Sequence, residues 1–250
     1  MKIWENLIED TKKIIPSDVQ CEIKMINSID SLTRFANSHI HQNVEEEMTD
    51  LYLTFHSDGK TTNLNFNITS LGSIDEVVKK ALSEIANNPK DSSWSGLASK
   101  ENSYDGYRNL SPENPDLRAQ KVKDFIDQGG SFNGAGYCSS NVSNVFVWNT
   151  DGLNSSDTAT SAFLDGIFRS ETSSGSSHLG HKTLENIDGE KVGQEAYSIA
   201  KESQNPQDID PGVYEVILGP DAVSTILVVL AVYGFNAKSK VDGTSPIEIN

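Results

Sequence analysis

The sequence predicts an α+β fold: an N-terminal helix–β-meander–helix module, followed by a second mixed α/β region with a hairpin and a central apolar helix. Three observations predict it. Apolar residues recur at helical spacing over residues 3–15 and again over 74–85. Between those helices lie three stretches of strand character, and in the second of them Leu51, Leu53 and Phe55 alternate with Tyr52 and Thr54. That period of two is what a sheet with one buried face requires. Residues 222–233 form one strongly apolar run, too short to span a bilayer and suited to a buried helix.

The first helix places Ile3, Leu7, Ile8, Ile14 and Ile15 on one side and stops at Pro16. Strands are expected over about residues 20–35, 39–56 and 61–69, with Ser57-Asp58-Gly59-Lys60 as the turn between the last two. Ser73-Ile74-Asp75-Glu76 has the form of a capping box, opening a helix whose inner face is Ile74, Val77, Val78, Ala81, Leu82 and Ile85. Residues 89–116 are rich in Ser, Asn, Pro and Asp and read as a long loop. A helix follows over 117–128, turned inward at Val122, Phe125 and Ile126 and ended by Gly129-Gly130.

The second hairpin has Asn144-Val145-Phe146-Val147-Trp148 as one arm and residues 161–168 as the other, around Asn149-Thr150-Asp151-Gly152. Asp-Gly is a strong turn signal. Residues 170–180 are rich in Ser and Gly and read as flexible. A helix over 190–202 turns Val192, Ala196, Ile199 and Ala200 inward, and Pro211-Gly212 introduces a short strand over 213–218. Gly219-Pro220-Asp221 breaks that strand and opens the apolar helix. The expected division is 1–116, an N-terminal α+β domain with its trailing loop, and 117–250, a helix, a hairpin and the start of a further domain.

Composition narrows the function classes. The 250 residues carry 20 Lys and Arg against 36 Asp and Glu, a net charge of −16. Such a surface repels phosphate backbones, so nucleic acid is not an expected partner. The two cysteines, Cys21 and Cys138, form no CxxC pair, and the N-terminus is broken by acids where a signal peptide needs an apolar run. A cytoplasmic chain without membrane attachment is expected, and its three glycosylation sequons carry no weight there.

Few residues suggest chemistry. His39 and His41 share a strand face and could chelate a metal, but a solvated strand edge or a groove wall is the plainer reading. His178 and His181 lie three apart beside Glu185 and Asp188 in a Ser/Gly-rich stretch with nothing to preorganise them. Glu45-Glu46-Glu47 reads as a solvated charge run. Cys138 has no histidine fixed beside it and reads as a small core residue. No GxSxG, Ser-His-Asp or phosphate-loop signature is present. No catalytic or metal residue is therefore expected in this chain.

Three ordered segments carry a resemblance. They are Thr33-Arg34-Phe35-Ala36-Asn37-Ser38-His39-Ile40-His41-Gln42-Asn43, then Asn149-Thr150-Asp151-Gly152 with Thr158-Ala159-Thr160, then Asp210-Pro211-Gly212-Val213-Tyr214-Glu215-Val216-Ile217-Leu218-Gly219-Pro220-Asp221-Ala222. Gly234-Phe235-Asn236-Ala237-Lys238 and Gly243-Thr244-Ser245 continue the pattern. Together they resemble the TldD/PmbA family, also called modulators of DNA gyrase. The resemblance implies a peptidase assembled from two related subunits, one bearing a zinc-binding HExxxH helix. Here the corresponding helix reads Val228-Val229-Leu230-Ala231-Val232-Tyr233, and the last histidine of the chain is His181.

The chain thus resembles the zinc-less PmbA (TldE) subunit, inactive alone, with zinc expected in a TldD-like partner and unfolded peptide as substrate. Family members continue into a large β-rich C-terminal half, so the resemblance implies a fragment of a longer protein. It directs attention to Arg34, Asn37, Asn149 and Gly152 as groove or hairpin residues. Ile226, Val229 and Tyr233 on the apolar helix are interface candidates. The alternatives are a stand-alone homodimeric module that binds peptide or protein without proteolysis, and a hydrolase relying on His178 and His181.

Overall fold

The computed structural model describes residues 2–68, 73–92, 94–112, 114–241 and 243–247. It divides into two compact units, Met1–Pro206 and Gln207–Asn250.

The first unit is α+β. Helix α1 (Lys2–Ile14) leads into β1 (Gln20–Ala36), β2 (His39–Ser57) and β3 (Lys60–Asn67), and α2 (Ile74–Ile85) closes the module. A connecting segment holds the two-residue strand β4 (Asp105–Gly106) and leads to α3 (Pro115–Ile126). Then come β5 (Asn133–Asn149), β6 (Asn154–Arg169), β7 (Ser174–His181) and α4 (Gly189–Glu202). The strands form one sheet in the order β3-β2-β1-β5-β6-β4, with β7 also paired to β6. β1 is antiparallel to both β2 and β5, so the sheet joins strands from residues 1–116 to strands from 117–250.

Strands of 16 to 19 residues span roughly 55 Å. One face of the sheet is therefore long enough to carry two separate helical layers. At one end α1 and α2 cover Cys21, Ile23, Met25, Leu51, Leu53, Phe55, Phe146 and Trp148. At the other end α3 and α4 cover Phe35, Cys138, Leu164 and Phe168, with Val122, Phe125, Val192 and Ala196 supplied by the helices. Residues 21, 23, 25 and 35 are all odd positions of β1, so both cores lie on the same sheet face.

Local chemistry accounts for the helix starts. Ser73 Oγ accepts the Glu76 amide at 3.2 Å, the first half of the capping box. Asn114 caps α3 ahead of Pro115. Asp188 caps α4 by accepting the Lys191 amide at 2.9 Å.

Four expectations need correction. β5 begins at Asn133 rather than residue 144, because its first half has Gly, Cys and Ser at inward positions and no apolar alternation to announce it. Residues 174–181 form a strand instead of a flexible stretch. Their backbone pairs with β6, and Gly175 lets α4 approach: a Cβ there would lie 2.3 Å from the Ala196 carbonyl oxygen and the Ala200 nitrogen. Ile199 is 47% exposed, displaced from the inner face of α4 by Ala196 and Ala200. Residues 213–218 pair with no strand among the described residues, and extended backbone without a ladder partner is not a strand. Thr69, the expected end of β3, lies outside the described residues.

The second unit holds α5 (Pro220–Tyr233) and α6 (Ala237–Val241). α5 is apolar around its circumference, and Pro220 at its first turn is placed where a missing N–H costs nothing. No described helix is long and apolar enough to cross a membrane.

Candidate functional site

The β5–β6 hairpin is built around Asn149, which is fully buried. Its Oδ1 accepts the backbone N–H groups of Asp151 and Leu153, each at 3.0 Å, and its Nδ2 donates to the Ala98 carbonyl at 2.8 Å. An Asn side chain used this way stands in for a backbone turn. Gly152 follows at φ +94°, a conformation that side-chain-bearing residues resist. Thr150 ties the turn to β1, its amide donating to the Cys21 carbonyl at 2.9 Å and its Oγ1 accepting the Cys21 amide at 3.1 Å.

Beside this hairpin, against α1, lie two adjoining open cavities that share Ile8 and Asn154. One, of about 460 Å³, is bounded by Lys12, Ile15, Trp148, Asn149, Thr150 and Gly152. The other, of about 300 Å³, is bounded by Trp4, Glu5, Tyr104, Asp105, Tyr107 and Phe146. Trp4 and Tyr107 each pack on Phe146 with ring centroids 5.5 Å apart, and Lys12 Nζ lies 6.0 Å from the Trp148 ring. The result is a groove with aromatic walls, the carboxylates of Glu5 and Asp105 in one part and the Lys12 ammonium in the other. Such a surface suits an extended segment with apolar side chains and some charge.

A second feature was missed from the sequence. Between the two cores, inward positions of the sheet turn polar in register. Asn27 Nδ2 donates to Glu47 Oε1 at 3.0 Å and to Thr49 Oγ1 at 2.9 Å, and Asn144 Nδ2 donates to Asn27 Oδ1 at 3.4 Å. Thr158 Oγ1 donates to Asn144 Oδ1 at 2.8 Å and accepts the Arg108 amide at 2.8 Å. This row of hydrogen bonds crosses β2, β1, β5 and β6. Nearer the second core, Thr33 Oγ1 donates to Asn43 Oδ1, which also accepts from the buried Arg118. The signal was partly available: odd positions of β1 change from Cys21, Ile23 and Met25 to Asn27, Ser31 and Thr33, with Ile29 among them, before returning to Phe35.

The sheet separates the expected site residues. Asn149 and Gly152 line the groove, with Asn149 at the register position of Glu22. Arg34 is twelve residues further along β1, roughly 40 Å away. It is exposed on the face opposite the cores, in a rung with Gln42, Tyr137, Asp165 and His178. Asn37 forms the β1–β2 turn with Ser38, both at positive φ as a two-residue hairpin demands. Ile226, Val229 and Tyr233 belong to the second unit and are exposed on α5.

Cys21 is fully buried, and burial, with a smaller contribution from the charge of Glu22, pushes its thiol up to about 12, so it offers no thiolate nucleophile at neutral pH. His39 Nδ1 lies 2.6 Å from the Asn37 carbonyl. His178 stacks on Phe163, and because residues 174–181 are a strand, His178 and His181 point to opposite faces instead of converging. Among the described residues no three His, Cys, Asp or Glu side chains stand together as metal ligands. α5 contains neither His nor Glu, so its donor set does not fit an HExxxH zinc site.

No protein-family model matches this chain, and no curated protein does. Solved structures do. A putative modulator of DNA gyrase from Bacteroides thetaiotaomicron superposes with a TM-score of 0.76 over 95% of this chain and 57% of its own, at 13% identity. A putative modulator of a DNA gyrase from Thermotoga maritima gives 0.61 over 84% and 50%, at 19% identity. TldE from Thermococcus kodakarensis gives 0.55 over 79% and 47%, also at 19% identity. The chain thus has the fold of these proteins and spans about half their length, and the resemblance read from its sequence is matched by its architecture.

Proposed function

We propose that this chain is part of a non-catalytic, PmbA (TldE)-type subunit of a TldD/PmbA-type metalloprotease that processes or degrades unfolded peptides. The observation that carries the reading is the pairing of that fold with a helix α5 lacking every zinc-binding and water-activating residue of HExxxH. The zinc and its activated water then belong to a TldD-like partner. This chain contributes surfaces: the groove between α1 and the β5–β6 hairpin for an extended peptide, and Ile226, Val229 and Tyr233 of α5 as partner contacts. A groove bounded by aromatic rings and by charges of both signs selects flexible segments over folded surfaces, which cannot enter it.

The test is co-purification. A tagged copy, as part of its full-length protein where the chain continues, is expected to capture a zinc-bearing relative from its own cell. Recovery without that relative, under conditions that keep other complexes intact, contradicts the proposal.

A further inference from the structure

We infer that the cavity beside Trp4 is a pocket for a lysine or arginine side chain, so that the peptide this groove takes carries a basic residue; the inference rests on the reading of the groove as a peptide site. Trp4, Tyr104, Tyr107 and Phe146 line the cavity, together with the carboxylates of Glu5 and Asp105. Among the described residues no Lys or Arg lines it, and neither carboxylate has an ion-pair partner. Two cations of neighbouring segments are committed elsewhere. Lys12 Nζ donates to Glu9 Oε1 at 2.9 Å, and Arg108 Nη2 donates to the Thr158 carbonyl at 2.8 Å.

The occupant follows from what such walls attract. Aromatic faces draw cations through their quadrupoles, and carboxylates beside them add a Coulombic pull that strengthens as water is displaced. An apolar side chain entering here strips water from two carboxylates and neutralises neither. An acidic one is repelled. Lysine and arginine meet both demands, laying a methylene stem along the rings and bringing a charged head to the carboxylates. At about 300 Å³ the cavity is at the lower end of ligand-site sizes and suits one long side chain.

The fold fixes these walls before a ligand arrives. β4 pairs in parallel with β6 at Asp105↔Ser156 and Gly106↔Asp157. The Ser156 amide donates to the Tyr104 carbonyl at 2.8 Å, and Ser156 Oγ donates to Asp105 Oδ1 at 2.8 Å, which orients that carboxylate. Gly106 leaves room for the Tyr104 ring to lie against the strand: a Cβ there would sit 2.4 Å from its Cε1. Glu5 comes from the first turn of α1, where the neighbouring Trp4 packs on Phe146. An acceptor of cations is thus assembled from three segments far apart in sequence.

Fluorescence anisotropy on the whole chain tests this, with a short, labelled, unstructured peptide carrying one central arginine and the same peptide with citrulline or glutamate in its place. The arginine peptide is expected to bind about tenfold more tightly than the citrulline peptide, the combined worth of one cation–π contact and one ion pair, and the glutamate peptide more weakly still. Glu5→Gln together with Asp105→Asn, both exposed and near-isosteric, is expected to remove that preference with the melting temperature unchanged. Glu46→Gln together with Glu171→Gln, an equal loss of charge outside the groove, is expected to keep it. Equal binding of all three peptides overturns the inference and leaves the groove reading standing, whereas no binding of any peptide overturns both. A preference lost equally in both double variants also overturns it, since it would report only the net charge of −16.

Discussion

Replacing Asn149 with Ala is the sharpest test of how the groove is held. The substitution removes three hydrogen bonds at once: two accepted from Asp151 and Leu153 and one donated to Ala98. The Leu153 amide lies in a buried bond and is left without a partner, at about 1–3 kcal/mol. The other two bonds are only partly buried, so water replaces them at about 0.5–1 kcal/mol each. The sum is about 3 kcal/mol. Thr150→Val is the comparison, a near-isosteric change that removes the single bond accepted from the Cys21 amide and costs about 1 kcal/mol. Urea denaturation with unchanged m-value reports both losses. If Asn149→Ala costs no more than Thr150→Val, the buried Asn is not the organising group of the hairpin and the reasoning fails.

Three further outcomes follow from the packing and the site. Gly175→Ala is expected to destabilise by about 1–3 kcal/mol, since its Cβ meets backbone atoms of α4 that no rotamer change can relieve; thermal melting reads this. Because the Cys21 thiol is raised from its ordinary value of 9.0 to about 12, the fold favours its protonated form. The stability tied to it is present below pH 9 and declines as pH rises toward about 12, so Cys21→Ala is expected to flatten the alkaline stability profile over that window. Tyr104, 62% exposed on the groove wall, is expected on replacement by Ala to weaken binding of an extended peptide about tenfold with little change in melting temperature, as fluorescence anisotropy would show.

Elements with strong periodicity were legible. The alternation around Leu51, Leu53 and Phe55 and the helical spacing of Val77, Val78, Ala81 and Ile85 each corresponds to buried side chains. Asp151-Gly152 placed the hairpin, and Asn149 beside it proved to be its hydrogen-bonding centre. What failed to show were strands held by their neighbours. The first half of β5 and all of β7 are Ser- and Gly-rich, and their strand character comes from backbone pairing with β1 and β6, which single-sequence periodicity does not encode. The inverse error at residues 213–218 has the same cause: a Val- and Ile-rich segment has strand propensity, but a strand needs a ladder. The groove escaped because its walls come from α1, the 104–107 segment and β5, which are distant in sequence. The distance between Arg34 and Asn149 was likewise illegible, because it is set by the register of β1 against β5.

The most direct test of the central claim is cleavage of an unfolded peptide by this protein alone, by a zinc-bearing TldD-like relative alone, and by the two together. Cleavage that requires the mixture and is abolished by a chelator is the predicted result. Cleavage by this protein alone, in the absence of the relative, would contradict it.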